Sequence, residues 1–308
     1  MSEFELKHNE TVAENITRIL TSQADNVKSH CKAGPDKRHE AIHEIRKSIK
    51  RIRAILRLVR GEIGYSTYYR ENIFYRDLNR SLSDIRALNV LVASSRVLQS
   101  DLSDTLEESR FNPLIGSLQE KRDQMLDRLI LKENLLHSIL KQMDSAKRRI
   151  RKLPIEHNDF RAFDGGLTRI YKQGLLYRDL SQAQPVPENI HNLRKRIKYH
   201  WYHMQILQPI SPSILKPYTE TLDMIGENLG QYHDLAELQS HLELNPGILE
   251  NHLQSTLTDG CEIKKTSILN RIWKDVEAVY SEKPGDLARR FARYWEIYQK
   301  NHSYIKTL

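Results

Sequence analysis

The sequence predicts an all-α fold, two antiparallel four-helix bundles related by an internal pseudo-two-fold axis, and three observations carry that prediction. Apolar residues recur at helical steps of three and four over long stretches. The twelve glycines and ten prolines fall in clusters between those stretches, whereas a β-sandwich needs a turn signal about every 8–12 residues. The second half of the chain also repeats the first, as a duplicated helical unit would. With 29% charged and 7% aromatic residues, the composition is that of long helices with charged surfaces.

The elements follow in order from the breaks between them. The first half reads as a helix over 9–30, a break at Gly34-Pro35, a helix over 36–60, a break at Gly61 and Gly64, and a long helix over 65–98. A break at Asn112-Pro113 and a helix to about 152 complete it, and Pro154 closes it. The second half gives helices over 160–182 and 188–208, separated by Pro185 and Pro187, then Pro209, Pro212 and Pro217 before a helix over 218–243. Asn245-Pro246-Gly247 precedes a helix to about 281, and Pro284-Gly285 precedes a last one over 286–300. Proline in a first turn and glycine past an end are the ordinary punctuation of helices.

Residues repeat as well as boundaries. Ile16-Thr17-Arg18-Ile19 resembles Leu167-Thr168-Arg169-Ile170, and Glu120-Lys121-Arg122 with Arg128 resembles Ile263-Lys264-Lys265 with Arg271. Between them, His43-Glu44-Ile45-Arg46-Lys47-Ser48-Ile49-Lys50 resembles His191-Asn192-Leu193-Arg194-Lys195-Arg196-Ile197-Lys198. The three matches keep their order at offsets of about 143 to 151 residues. Four helices with short loops pack naturally as a bundle, so the expected domains are 1–154 and 155–308, the latter with a C-terminal helix.

In 42–60, Ile42, Ile45, Ile49, Ile52, Leu56 and Val59 form one apolar seam. His43, Arg46, Lys50, Arg53, Arg57 and Arg60 form a separate basic row with Lys47 beside it, and Glu44 is the only acid among them. From 43 to 57 that row spans about 21 Å at the helical rise. A row of one sign repels itself and invites an anion lying along it. The second copy has Ile190, Leu193, Ile197, Met204 and Leu207 as its seam and His191, Arg194, Lys195 and Lys198 as its basic face. Its row is shorter, because Tyr199, His200, Trp201 and Tyr202 follow. A protonated histidine in either row would donate from both nitrogens and strengthen anion binding at mildly acidic pH.

The formal net charge of +8 agrees with an anionic partner. No apolar run reaches the ~20 residues of a membrane span, and the first ten residues lack a basic-then-apolar leader pattern. Two cysteines, Cys31 and Cys261, are too few for a disulfide framework, which makes a reducing cytoplasm the expected location.

The paired His-x-x-Arg-Lys-x-x-Lys runs at helix starts, in an all-helical chain of this length, resemble the CHAD family of conserved-histidine α-helical domains. Gly166-Leu167-Thr168-Arg169-Ile170-Tyr171-Lys172 resembles its Gly-Leu-x-Arg-x-Tyr-Arg element. Leu82-Ser83-Asp84-Ile85-Arg86-Ala87-Leu88-Asn89-Val90 and Leu229-Gly230-Gln231-Tyr232-His233-Asp234 resemble its Leu-Gly-x-Arg-Asp-x-x-Val element, with Ala87 and His233 as departures. The resemblance covers essentially the whole chain. It implies a basic central groove or pore that binds inorganic polyphosphate, in a non-catalytic binding or targeting module that needs no cofactor. It also implies partners in polyphosphate granules or a polyphosphate-metabolising enzyme. Carried over, the ligands are His43, Arg46, Lys47, Lys50, Arg53 and Arg57 in the first half and His191, Arg194, Lys195 and Lys198 in the second. Arg18, and Arg169 with Lys172, come from the first helix of each half, and Lys121, Arg122, Lys264 and Lys265 are added from the last.

Five other readings are weaker. His39-Glu40-Ala41-Ile42-His43 matches a zinc-protease pattern, but Arg46, Lys47 and Lys50 would crowd a dication, and the second copy has Pro187 in place of His39. Glu3-Phe4-Glu5-Leu6-Lys7 resembles the Glu-x-Glu-x-Lys strand of triphosphate-tunnel enzymes, yet no further barrel strands follow. His200 and His203 could pair on a metal, with burial near Trp201 as the alternative. A nucleic-acid binder needs aromatic platforms along its basic groove, and the row from His43 to Arg60 holds none. A phosphoanhydride-processing enzyme would need a metal-binding carboxylate cluster beside the row.

Overall fold

The computed structural model describes residues 3–102 and 107–305, and within them every regular element is helical. Eleven α-helices follow in order: α1 Val12–His30, α2 Arg38–Leu58, α3 Arg60–Arg80, α4 Ser83–Asp101, α5 Asn112–Leu126, α6 Leu135–Ile150, α7 Arg161–Ala183, α8 Pro187–Leu207, α9 Pro212–Leu244, α10 Asn251–Val279 and α11 Pro284–Ile305.

Most ends are where the sequence places them, for local reasons. Thr11 and Glu14 close a reciprocal capping box at the start of α1, and Pro187 and Pro284 open α8 and α11. Gly64 takes φ 72°, a conformation that L side chains avoid, and bends the chain at the predicted break between α2 and the body of α3. Two expected helices are each divided. The stretch 65–98 breaks at Leu82, where the Ser81 and Ser83 hydroxyls donate to the carbonyls of Leu78 and Arg80 at 2.9 and 2.6 Å. These bonds satisfy the end of α3 without glycine or proline, the residues on which a sequence-level break depends. The helix expected after Pro113 loosens into a π-turn over Asp127–Lys132, and Asn134 then takes φ 50° before α6 begins.

The buried side chains form one continuous core from Phe4 to Tyr298. Both predicted seams lie in it: Ile42, Ile45, Ile49, Ile52, Leu56 and Val59 are at most 1% exposed, and Ile190, Leu193, Ile197, Met204 and Leu207 are fully buried. Helix α2 packs against α1, α3, α7 and α8, while α4 packs against α9. A hydrogen bond from His203 Nε2 to the Ala54 carbonyl at 2.9 Å ties α8 to α2. Gly166 brings α7 onto the end of α2, where a Cβ would lie 1.9 Å from the Leu58 carbonyl oxygen.

The Glu3–Lys7 segment is an irregular strap rather than a strand. Phe4 and Leu6 are buried, Leu6 N–H donates to the Ile206 carbonyl at 3.1 Å, and the ring of Phe4 meets Tyr202 edge-on. Its resemblance to a barrel strand is a coincidence of alternating buried and polar residues. His200 and His203 are both fully buried. His200 packs against the rings of Tyr171 and Tyr218, and burial holds both imidazoles down to about 3. They serve packing.

Candidate functional site

Burying the seam of α2 turns its basic row outward, and the packing of α2 against α8 and of α4 against α9 sets more cations beside it. Lys50 is the centre. Its side chain is exposed to solvent, yet its ammonium is pulled down to about 7, first through desolvation by the surrounding protein and then by Arg194, Arg46, Arg86 and Lys198. A group that is open to water but crowded by protein lies in a recess. Three helices contribute to this cluster, α2 (Arg46, Lys50), α4 (Arg86) and α8 (Arg194, Lys198), with α9 packed against α4 and α8.

Arg46 donates from Nη1 to the Asn79 carbonyl at 2.5 Å, and burial lowers its pKa, although a guanidinium stays charged in any physiological range. The Nε–H groups of Arg46 and Arg194 are buried without a partner among the described residues, an arrangement that costs free energy until an acceptor arrives. His43, beside Arg86, Lys47 and Lys50, is lowered by burial first and by Arg86 next. His191 faces His233 at 4.4 Å between ring centres, and burial, then that neighbour, hold it down to about 4. His191 is therefore neutral near pH 6 and burial moves His43 in the same direction, while the cation that titrates close to neutrality is Lys50. Burial thus works against the protonated histidines expected at mildly acidic pH.

Along α2 the row continues past Lys50. Arg53, lowered mainly by burial, reaches Asn72 of α3 at 3.3 Å. Arg57 lies 4.2 Å over the ring of Tyr199, and Lys195 shares the neighbourhood of Arg53 and Tyr199. At the other end, half-buried His39 is lowered by burial first and by Arg122 next, and His241 by burial first and by Lys121 next. These two cations of α5 thus extend the row past the start of α2. Lys47 stands beside the row but pairs with Glu44 at 3.3 Å.

Three predicted ligands, Arg18, Lys264 and Lys265, are held by other partners. Arg18 is held by the Glu10 carboxylate at 2.7 Å and by the carbonyls of Glu3 and Glu5, so it anchors the N-terminal strap. Arg169 and Lys172 occupy exposed positions of α7, while Gly166 and Tyr171 of the same element serve packing, the Tyr171 hydroxyl donating to the Val279 carbonyl at 3.1 Å. Lys264 pairs with Asp101 at 2.5 Å. Lys265 is buried against Glu262 and Gln239 at 2.6 and 2.7 Å.

The residues that sequence reasoning left out of the site come from α4 and α9. Arg86 stood in a family-like element but was given no ligand role. Helix α9 brings acids to the α8 side: Lys198 pairs with Asp223 at 3.2 Å and Glu227 at 2.6 Å while lying 4.2 Å over the Trp201 ring. Burial raises Glu227, but its bond to Lys198 outweighs that and holds it below the usual carboxylate range. Asp234 is raised by burial, and Glu237 is lowered by its bond to His233. Glycines permit this approach, since a Cβ on Gly226 would lie 2.9 Å from Lys198 Cε and one on Gly230 would lie 3.4 Å from Arg194 Nη2. Among the described residues no group of three or more His, Cys, Asp and Glu side chains is placed to hold a metal ion. Nor is any helix among them long and apolar enough to cross a membrane.

Cations from three helices, α2, α4 and α8, thus converge around Lys50. The chain belongs to the CHAD family: the CHAD domain model matches residues 18–243. A similar solved structure is the crystal structure of the CHAD domain from the plant Ricinus communis, with a TM-score of 0.63 and 17% identity, covering 91% of this chain and 94% of that one. No curated protein sequence matches.

Proposed function

We propose that the protein binds inorganic polyphosphate, without turning it over, in a basic groove or pore between two halves, 1–154 and 155–308, related by a pseudo-two-fold axis. The observation that carries this reading is Lys50, an exposed residue whose desolvated ammonium has Arg46, Arg86, Arg194 and Lys198 as its charged neighbours. Membership of a family associated with polyphosphate-related proteins supports it. A flexible chain of phosphates laid along the row displaces counterions from the helix cations, and its oxygens satisfy the unpartnered Nε–H groups. Affinity then rises with chain length and falls with salt. Such a module would bring its chain to polyphosphate granules, or to an enzyme working on the polymer, in the cytoplasm.

Single-stranded nucleic acid is the second reading, favoured by Tyr65 and Tyr69, which are exposed and stacked at 5.7 Å beside Arg60. Against it, Tyr199 and Trp201 are already covered by Arg57 and Lys198. The test is a titration with polyphosphates of increasing length, triphosphate and a single-stranded oligonucleotide at two salt concentrations. Length-dependent binding of polyphosphate that weakens in a Lys50→Ala, Lys198→Ala double variant is the expected result. Equal or tighter oligonucleotide binding hands the site to nucleic acid.

A further inference from the structure

A second basic site lies on a different face of α3 from the one that meets Arg53. A cavity of about 340 Å³ opens between α3 and the turn after α6, lined by Thr67, Arg70, Arg149, Lys152, Leu153 and Pro154. Its floor is built. Glu71, with a side chain 4% exposed, accepts at one oxygen from Arg149 Nε at 2.8 Å and from Arg70 Nε at 3.0 Å. Arg149 is fixed further by the Ser145 hydroxyl at 3.1 Å and by the Phe74 ring 4.5 Å beneath it.

One buried carboxylate thus aligns two guanidiniums through their Nε atoms. Arg149 Nη2 and both terminal nitrogens of Arg70 have no partner among the described residues. With Lys152, three cations against one carboxylate leave an excess of two positive charges, the complement of a phosphate dianion. The cavity is larger than a phosphate group and lies within the range of small-molecule sites, roughly 300–1,000 Å³. Leu153 and Pro154 give it an apolar wall. We propose that this pocket binds a small phosphomonoester, its phosphate held by Arg70, Arg149, Lys152 and the Thr67 hydroxyl and its organic part against Leu153 and Pro154. The site is independent of the polyphosphate reading.

The experiment is calorimetric titration of the full chain carrying Lys50→Ala and Arg194→Ala, which weaken the central cluster, with glycerol 2-phosphate, orthophosphate and glycerol. Saturable one-to-one binding of both phosphates, tighter for the ester, and none of glycerol, is expected. Adding Arg70→Gln and Lys152→Gln, exposed positions that leave the Arg149–Glu71 pair intact, should weaken it about tenfold or more, as loss of charge-assisted contacts requires. Lys152→Gln alone should give an intermediate loss. Tighter orthophosphate overturns the ester assignment. Absence of saturation below about 10 mM, or unchanged binding in the Arg70→Gln, Lys152→Gln background, overturns the site.

Discussion

Helices α2 and α8 carry the same run of His, Arg, Lys and Lys, but the fold treats the two rows differently. On α2, Lys50 is surrounded by cations, and its ammonium is depressed toward neutrality. On α8 the corresponding Lys198 is bonded to Asp223 and Glu227 and rests on Trp201, so its charge is already answered. His43 neighbours Arg86 and Glu44, and His191 neighbours His233 and has Glu237 nearby. The same local sequence therefore leaves Lys50 among cations on one helix and sets Lys198 on two carboxylates on the other. At these two lysines the partner helix decides: α4 sets Arg86 near Lys50, while α9 sets Asp223 and Glu227 on Lys198. Binding strength should be concentrated on the α2 side.

Charge reversal tests that asymmetry most severely. Lys50→Glu should weaken polyphosphate binding on the order of 100-fold, as expected when a desolvated charge contact worth roughly 2–5 kcal/mol is lost. Lys198→Glu should cost only about tenfold or less, because this lysine must first leave two carboxylates. Equal losses, read by fluorescence anisotropy with a labelled polyphosphate, would mean that the counter-ions on α9 do not matter.

The pH response separates the two rows next. In the free protein Lys50 titrates at about 7, and a bound polyanion stabilises its protonated form and raises that pKa. Binding therefore takes up a proton. The contribution is fully present below pH 7 and is lost as pH rises from about 7 to the bound-state value, with a limiting slope of about tenfold per pH unit for one proton. Lys50→Arg should flatten that slope, since arginine stays charged, whereas Lys198→Arg should leave it in place. A profile unchanged by Lys50→Arg assigns the titration to another group.

How much of this was legible from residue order follows from where each partner lies in the chain. The α2 row could be read directly because seam and stripe share one helix, and a near-absence of acids within a turn is a local fact. The burial of both seams follows from the same periodicity. The acids Asp223 and Glu227 are 25 and 29 residues beyond Lys198 on another helix, and no spacing rule links them to it. Lys264 and Lys265 matched Lys121 and Arg122 in sequence, but Asp101, Glu262 and Gln239 claim them. Arg18 reads as a ligand by analogy, yet the N-terminal strap supplies carbonyls and Glu10 at closer range. The break at Leu82 escaped because serine hydroxyls, rather than glycine or proline, finish α3.

Removing the counter-ions should narrow the difference between the helices. Asp223→Asn with Glu227→Gln frees Lys198 and should tighten polyphosphate binding about threefold to fivefold, in line with exposed ion pairs worth up to about 1 kcal/mol. The same change should make a subsequent Lys198→Glu substitution more damaging than it is in the native background, a non-additivity that a double-mutant cycle measures directly. Additive effects would show that the carboxylates and the polyanion do not compete for Lys198.

The smallest expected effect comes from the glycine that lets α9 approach. In Gly226→Ala the new methyl would sit 2.9 Å from Lys198 Cε, so the flexible end of that lysine must move while the α9 backbone stays put. Alanine inside a helix is favoured over glycine by up to about 1 kcal/mol, so thermal stability should rise slightly or hold. Polyphosphate affinity should change by less than about threefold, since one already countered side chain is displaced. A large loss of affinity with unchanged stability would place Lys198 on a level with Lys50, and the contrast between the two helices would then reside in Arg86 alone.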